Sequence, residues 1–184
     1  MDVTLHLTAD ESDLIAACVR QERWAQQRVY EEHYGKMMGV CLRYANHEED
    51  ALDMLHEGFI KVFRYISRYK SGTSLQAWIR TIIVNTCIDH YRRNHRRRTD
   101  DLDQVQTLSN GEISALDMIS AEEILGLVRE LTPSYRVVFN LYVLEGYSHK
   151  EIADMLDITE STSRSNLVKA RLKLQHALKL KWQK

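Results

Sequence analysis

"YSHKEIADMLDITESTSRSNLVKARLKL", residues 147–174, decides the fold of its half of the chain. Ser148 stands three residues before Glu151. At that spacing a serine hydroxyl caps a helix start and the carboxylate reaches back to complete the box. Ile152, Met155, Leu156 and Ile158 then recur at helical intervals, the pattern lapses for about four residues, and Leu167 and Ala170 resume it. A short capped helix, a tight turn and a second helix make a helix-turn-helix. Ala153 is small where the two helices would meet closely. The first turns of the second helix are expected to expose Ser161, Thr162, Ser163, Arg164, Ser165 and Asn166. Short hydroxyls let a helix sink into a major groove, and Arg and Asn pair with base edges in bidentate fashion. Lys169, Arg171 and Lys173 suit phosphates. A plain helical hairpin with a solvated polar face is the competing reading. The capping signals, the small corner residue and the Ser/Thr/Arg/Asn cluster together disfavour it.

Outward from this stretch the chain stays helical. In "TPSYRVVFNLYVLEG", residues 132–146, Thr132 is an N-cap, Pro133 takes the first helical position and Gly146 comes just after the end. "ISAEEILGLVREL", residues 119–131, reads as a helix before it. Residues 99–116 are polar and acidic with an Asn-Gly pair, the composition of a linker. Before the linker, Thr8 lies three residues ahead of Glu11, a second capping-box spacing, and opens a short helix. Residues 22–45 predict a long helix whose apolar stripe is Trp24, Val29, Tyr30, Tyr34, Met37, Met38, Cys41 and Leu42. A third helix covers residues 45–66, with Leu52, Leu55, Phe59, Val62, Phe63 and Ile66 inward. Gly72 breaks the pattern and Ser74 can cap a fourth helix, lined by Leu75, Trp78, Ile79, Ile82, Ile83, Thr86, Cys87 and Tyr91.

Composition bounds the rest. One proline and seven glycines in 184 residues favour helices over a turn-rich β fold. Apolar content of 44% is enough for a core, and no apolar run approaches the ~18 residues of a membrane span. The acidic start has no basic segment followed by an apolar one, so no signal peptide is expected. Cys18, Cys41 and Cys87 are far apart on apolar stripes and read as buried thiols of a reducing compartment. No histidine spacing suggests a metal, no cofactor is implied, and no phosphate loop or nucleophile elbow suggests an enzyme. Asp50, Asp53 and Glu57 share a helix face, but such a lone acidic stripe reads as solvated or as a partner contact.

The net charge of -1 hides strong segregation. Residues 61–98 hold ten basic side chains against one acidic, and residues 131–184 hold nine against five. The intervening blocks are acidic, which leaves two candidate anion-binding surfaces. In the first, Lys61, Arg64, Arg68, Lys70, Arg80, Arg92, Arg93 and Arg96–Arg98 interleave with Phe63, Tyr65, Tyr69, Trp78 and Tyr91. Cations for phosphates and ring faces for unstacked bases are what single-stranded nucleic acid requires. Tyr65 and Tyr69 flank the loop and are expected to be exposed, whereas Trp78 fits the core as well as it fits a strand. Asn85 and Asp89, four apart, are either base-edge partners or structural ones.

These residues resemble a known family, the bacterial sigma factors of the extracytoplasmic-function class. "EDALDMLHEGFIKVFRYI", residues 49–66, is similar to their region 2.2, and "SLQAWIRTIIVNTCIDHYRR", residues 74–93, to regions 2.3 and 2.4. Residues 131–174 are similar to region 4. The match runs from about residue 14 to residue 178 in the family's order. The resemblance implies an all-α protein: residues 1–98 a helix bundle, 99–117 a flexible acidic linker and 118–184 a helix-turn-helix domain. It implies core RNA polymerase as partner, with Asp53, His56, Glu57 and Lys61 on the clamp coiled coil and the second domain on the flap. It implies promoter DNA as the other partner. Tyr65, Tyr69, Lys70, Trp78, Arg80, Asn85, Asp89, Arg92 and Arg93 would capture the melted minus-ten strand. Ser161, Thr162, Arg164, Ser165, Asn166, Lys169 and Arg171 would read the minus-thirty-five duplex. An anti-sigma or other regulatory protein, a cytoplasmic location and a monomeric free state complete the implication. His56 replaces the family's usual glutamine, Asn166 a frequent arginine and Arg164 a common lysine, so an individual minus-thirty-five preference is expected.

Two other classes remain open from sequence alone. A conventional dimeric helix-turn-helix repressor would bind its operator without polymerase and give residues 50–61 no role. An interaction module would use the acidic N-terminal helices and be indifferent to changes in the second helix of the motif.

Overall fold

The computed structural model describes residues 11–70, 72–97 and 121–182. The Thr8 cap, the side chains of Arg96–Arg98 and the linker at 99–117 fall outside what it describes. Every regular element among the described residues is helical, and none of these helices is long and apolar enough to cross a membrane. The chain divides into two compact units: the described residues of Met1–Cys41 with Glu49–Thr86, and those of Leu42–Glu48 with Cys87–Lys184.

The first unit is built from α1 (Glu11–Val19), most of α2 (Arg23–Tyr44), α3 (Glu48–Tyr65) and the first half of α4 (Leu75–Arg97). A 3-10 turn, Ile66–Arg68, ends α3. Ser74 starts α4 as expected, its hydroxyl accepting the Ala77 amide at 3.2 Å. The core is apolar and closely packed: Ala25 and Val29 of α2, Leu55 and Val62 of α3, and Ile79 and Ile83 of α4 are almost wholly enclosed. Tyr30 meets the edge of the Phe59 ring at 4.8 Å between centroids. Gly58 lets α3 approach Ile83, since a β-carbon at residue 58 would collide with that side chain. Cys18, Cys41 and Cys87 are buried free thiols. One expectation fails on α2. Trp24 and Tyr34 lie outside, at 50% and 38% exposure, because Ala25 and Val29 take the inward positions. The Trp24 indole instead donates to the Glu22 carboxylate at 2.6 Å.

In the second unit α5 (Ala121–Arg129) leads to α6 (Pro133–Phe139), which runs on through a π turn at Asn140–Leu144. Pro133 occupies the first turn of α6 after Thr132, whose backbone position is that of a cap although its hydroxyl makes no capping bond. The carbonyls freed at the end of α5 are satisfied by Arg136, which donates to Arg129 and Leu131 at 2.7 and 2.8 Å. Burial, with Arg129 nearby, lowers the Arg136 pKa. Gly146 turns the chain at φ +80. Helix α7 (His149–Leu156) opens on the full capping box of Ser148 and Glu151, and the Ser148 hydrogen bonds hold the Glu151 carboxyl below its ordinary pKa. Asp157, in the left-handed region at φ 57, ends it. Thr159 caps α8 (Glu160–Trp182) through the Thr162 amide at 3.1 Å. Leu131, Tyr135 and Ala170, joined by Phe139 and Leu174, form the centre on which α8 rests.

Candidate nucleic-acid interfaces

Two helices put polar side chains outside while anchoring their other side in a core. The first is α4. Its buried sector holds Ile79, Ile83, Val84 and Cys87. At 3.6 residues per turn, Trp78, Asn85, Asp89 and Arg92 lie within about 60° of one another on the opposite side, with Arg93 at the edge of the strip. Asn85, Asp89 and Arg93 are exposed, and Trp78 and Arg92 half-buried. Trp78 leans on Tyr69, with ring centroids 5.6 Å apart, so it is both a packing residue and a partly open ring face. Arg80 is not brought to this strip. Helix geometry turns it about 140° from Asn85, into the sector of Ile83 and Val84, and it is half-buried there.

The loop before α4 also departs from expectation. Tyr65 is half-buried with the Arg68 guanidinium 4.8 Å over its ring, and Lys70 is exposed. Tyr69 is not exposed: only 7% of it meets solvent. Its hydroxyl lies against Glu11 at 2.7 Å and against the Thr73 carbonyl, which ties the loop to α1. Burial, reinforced by the Glu11 hydrogen bond, raises the Tyr69 pKa. Tyr69 is therefore held against α1 and the loop backbone. Lys70, Tyr65 and the α4 strip remain the accessible cations, amide and rings.

On α3, residues 53, 56, 57, 60 and 61 recur at helical spacing and form one outward face. Asp53 and His56 are exposed, and Glu57 pairs with Lys61 at 3.1 Å. Ile60 joins them at 59% exposure. Sequence reading passed over Ile60, although an isoleucine off the inner stripe of an otherwise charged face was the available signal.

The second interface is α8. Ser163, Leu167 and Ala170 face the core. Ser161 and Ser165 are exposed on the far side, and Arg164 and Arg171 are exposed along the border next to Leu167. Thr162 is exposed and Lys169 half-buried along the other border, where Asn166 is half-buried nearest the core. Ser163 does not belong to the exposed group. It is fully enclosed, and its hydroxyl pairs with His149 Nδ1 at 2.9 Å. The His149 ring stacks on Tyr142 at 4.5 Å, and the Arg171 guanidinium sits 5.9 Å from the Tyr142 ring. Burial, then the positive charge of Arg164, lowers the His149 pKa against an opposing pull from Glu160. Lys169 lies 5.7 Å from the Tyr135 ring. Two outward residues were missed from sequence. Val168, 55% exposed, is an apolar group suited to a thymine methyl. Glu160 accepts from Arg164 at 2.6 Å. Among the described residues no cluster of three metal-ligating side chains occurs. The arrangement offers hydrogen-bonding side chains on one rigid helix for a duplex groove, and cations with rings on another for a strand.

Comparison with known proteins gives these faces a context. Residues 29–97 match the model of Sigma-70 region 2, and residues 121–174 that of Sigma-70, region 4. The ECF RNA polymerase sigma factor SigM of Mycobacterium tuberculosis is 24% identical over 168 residues, 91% of this chain and 84% of that protein. The SigM protein of Bacillus subtilis, also an ECF RNA polymerase sigma factor, is 26% identical over 149 residues, 80% of this chain and 91% of its own. Among solved structures, the sigma factor RpoE of Bartonella quintana, in complex with the anti-sigma factor NepR, superposes with a TM-score of 0.50. Its identity is 20%, and the alignment covers 83% of this chain and 96% of that one.

Proposed function

This chain belongs to the sigma-70 family, in its extracytoplasmic-function class, and from its role as a promoter-directing RNA polymerase sigma factor we propose how its residues divide the work. The α3 face of Asp53, His56, Glu57, Ile60 and Lys61 meets the clamp coiled coil of core polymerase. The α4 strip, with Tyr65 and Lys70, captures the non-template strand of the minus-ten element. Flipping a base costs a few kcal/mol of unstacking, which contacts to the freed base and its phosphates must offset. The outer sector of α8 enters the major groove of the minus-thirty-five duplex. Partners of this kind place the protein in the cytoplasm, with an anti-sigma protein as the regulatory partner the class implies.

One observation supports this division most directly: α8 keeps Ser161, Arg164, Ser165 and Arg171 exposed while Ser163, Leu167 and Ala170 are enclosed. A helix anchored on one side can be inserted into a groove without unfolding. Run-off transcription with core enzyme on genomic fragments tests the reading. Arg164→Ala should relax upstream base preference by about 1–3 kcal/mol and leave opening of a bound promoter intact. Asn85→Ala should impair opening and leave the upstream preference alone. If both changes lower every step alike, the residue assignment is wrong.

A further inference from the structure

We infer that Glu160 sets the selectivity of α8 by keeping Arg164 from serving as a general phosphate contact. This rests on the reading of α8 as the minus-thirty-five helix. The two residues are one turn apart, with Glu160 Oε2 accepting from Arg164 Nη2 at 2.6 Å. Their side chains are 42% and 59% exposed, so the pair stands on the outward sector among the groups that would face DNA. The backbone beneath it is fixed from both sides. Thr159 caps the Thr162 amide, and the enclosed Ser163, between the paired residues, is held by His149.

A carboxylate on a DNA-facing surface repels phosphates and cancels a cation, so it lowers affinity for every sequence. Its position in the first turn of α8 suits the helix dipole, but any residue of that turn would serve the dipole equally. Of the first-turn residues, Glu160 is the one that holds that guanidinium. Arginine has five N–H donors, and guanine O6 and N7 need two of them. Arg164 can therefore keep Glu160 and still read guanine. At a non-cognate site it stays paired with Glu160, its charge largely neutralised, and gains little from a phosphate. Glu160 is thus a positioning residue that weakens wrong complexes more than the right one.

The test uses holoenzyme reconstituted from core polymerase and the full chain. Binding is measured over a salt series on the preferred promoter and on the same fragment with its minus-thirty-five element scrambled. Glu160→Gln keeps the size and removes the charge. Affinity for the scrambled fragment should rise about two- to fivefold, the effect of one screened charge. Affinity for the preferred promoter should change less, so the specificity ratio falls. The salt slope on the scrambled fragment should steepen by about 0.9, as for one more neutralised phosphate. In an Arg164→Ala background the same substitution should raise affinity for both fragments alike, through lost phosphate repulsion alone, and leave the ratio as it was. The inference is overturned if Glu160→Gln leaves ratio and slope as they were, or if the ratio still falls without Arg164. If Arg164→Ala itself leaves upstream preference unaltered, the reading of α8 fails, which is a separate outcome.

Discussion

His149→Phe isolates the contact that seats the DNA-facing helix. Phenylalanine can keep the stack on Tyr142 but cannot bond the Ser163 hydroxyl, which is fully enclosed. A buried hydroxyl left without its partner costs about 1–3 kcal/mol. Ser163→Ala removes the buried hydroxyl itself. It leaves behind only a half-buried imidazole that water can reach, so its cost falls near the low end of a net hydrogen bond, about 0.5 kcal/mol. The double variant has no buried polar orphan and should resemble Ser163→Ala, giving a coupling energy of about 1 kcal/mol or more. Calorimetry of the full chain reads this as roughly 4–8 °C per kcal/mol for a unit of this size. Hydrogen exchange at α7 and α8 amides assigns the loss to those helices. Additive single effects would refute the reasoning. So would a cost below about 0.5 kcal/mol for His149→Phe, which would mean that Ser163 finds its partner within its own helix.

Buried groups in the first unit give two further outcomes. Both ring nitrogens of His33 are buried without a hydrogen bond, and burial lowers its pKa; Lys36 also lowers it, while Glu32 and Glu11 oppose. The unfolded chain then takes up the proton first, so stability is complete at neutral pH and declines as pH falls below about 6.5. His33→Phe should flatten the melting profile of this unit between about pH 7.5 and 5.5, and an unchanged profile would contradict the assignment. Tyr69→Phe deletes the tie to Glu11 and the Thr73 carbonyl. It should destabilise the loop by about 0.5–1.5 kcal/mol and slow promoter opening without altering upstream preference; a shift in that preference would show that Tyr69 is not confined to the loop.

Local signals in the sequence sufficed for several features whose partners lie within one or two turns. The Ser148–Glu151 box, the Ser74 cap and the ends of α4 and α8 are of this kind. The Glu160–Arg164 pair was equally legible, as an i,i+4 spacing, and Arg80 could have been removed from the α4 strip by counting helical phase. Other features depend on contacts that no local pattern states. Tyr69 is buried because Glu11, 58 residues earlier, reaches its hydroxyl. Ser163 is buried because His149, 14 residues earlier, accommodates a hydroxyl inside the core. Trp24 and Tyr34 satisfied a three- and four-residue spacing, but Ala25, one turn before the enclosed Val29, takes the inward position beside Trp24.

Both candidate interfaces rest on helices of 23 residues, α4 and α8. On each, one sector is committed to a core, so a side chain that reads nucleic acid must come from the opposite one. The helical period sets the two groups apart: Asn85 and Asp89 against Ile83 and Cys87, Ser161 and Ser165 against Ser163 and Leu167, with Arg164 exposed at the border. Residues of the inner set influence recognition only by fixing the backbone beneath the outer set. Their loss should lower stability and weaken all sequences together. Exposed residues of the outer set, such as Asn85, Asp89, Arg164 and Ser165, contribute little to a core, so their loss should alter the ratio between sequences and leave the fold standing. Glu160 belongs to the outer set by position yet acts on Arg164 rather than on DNA. It can therefore change selectivity in the direction opposite to a lost contact, by making the wrong sequences bind better.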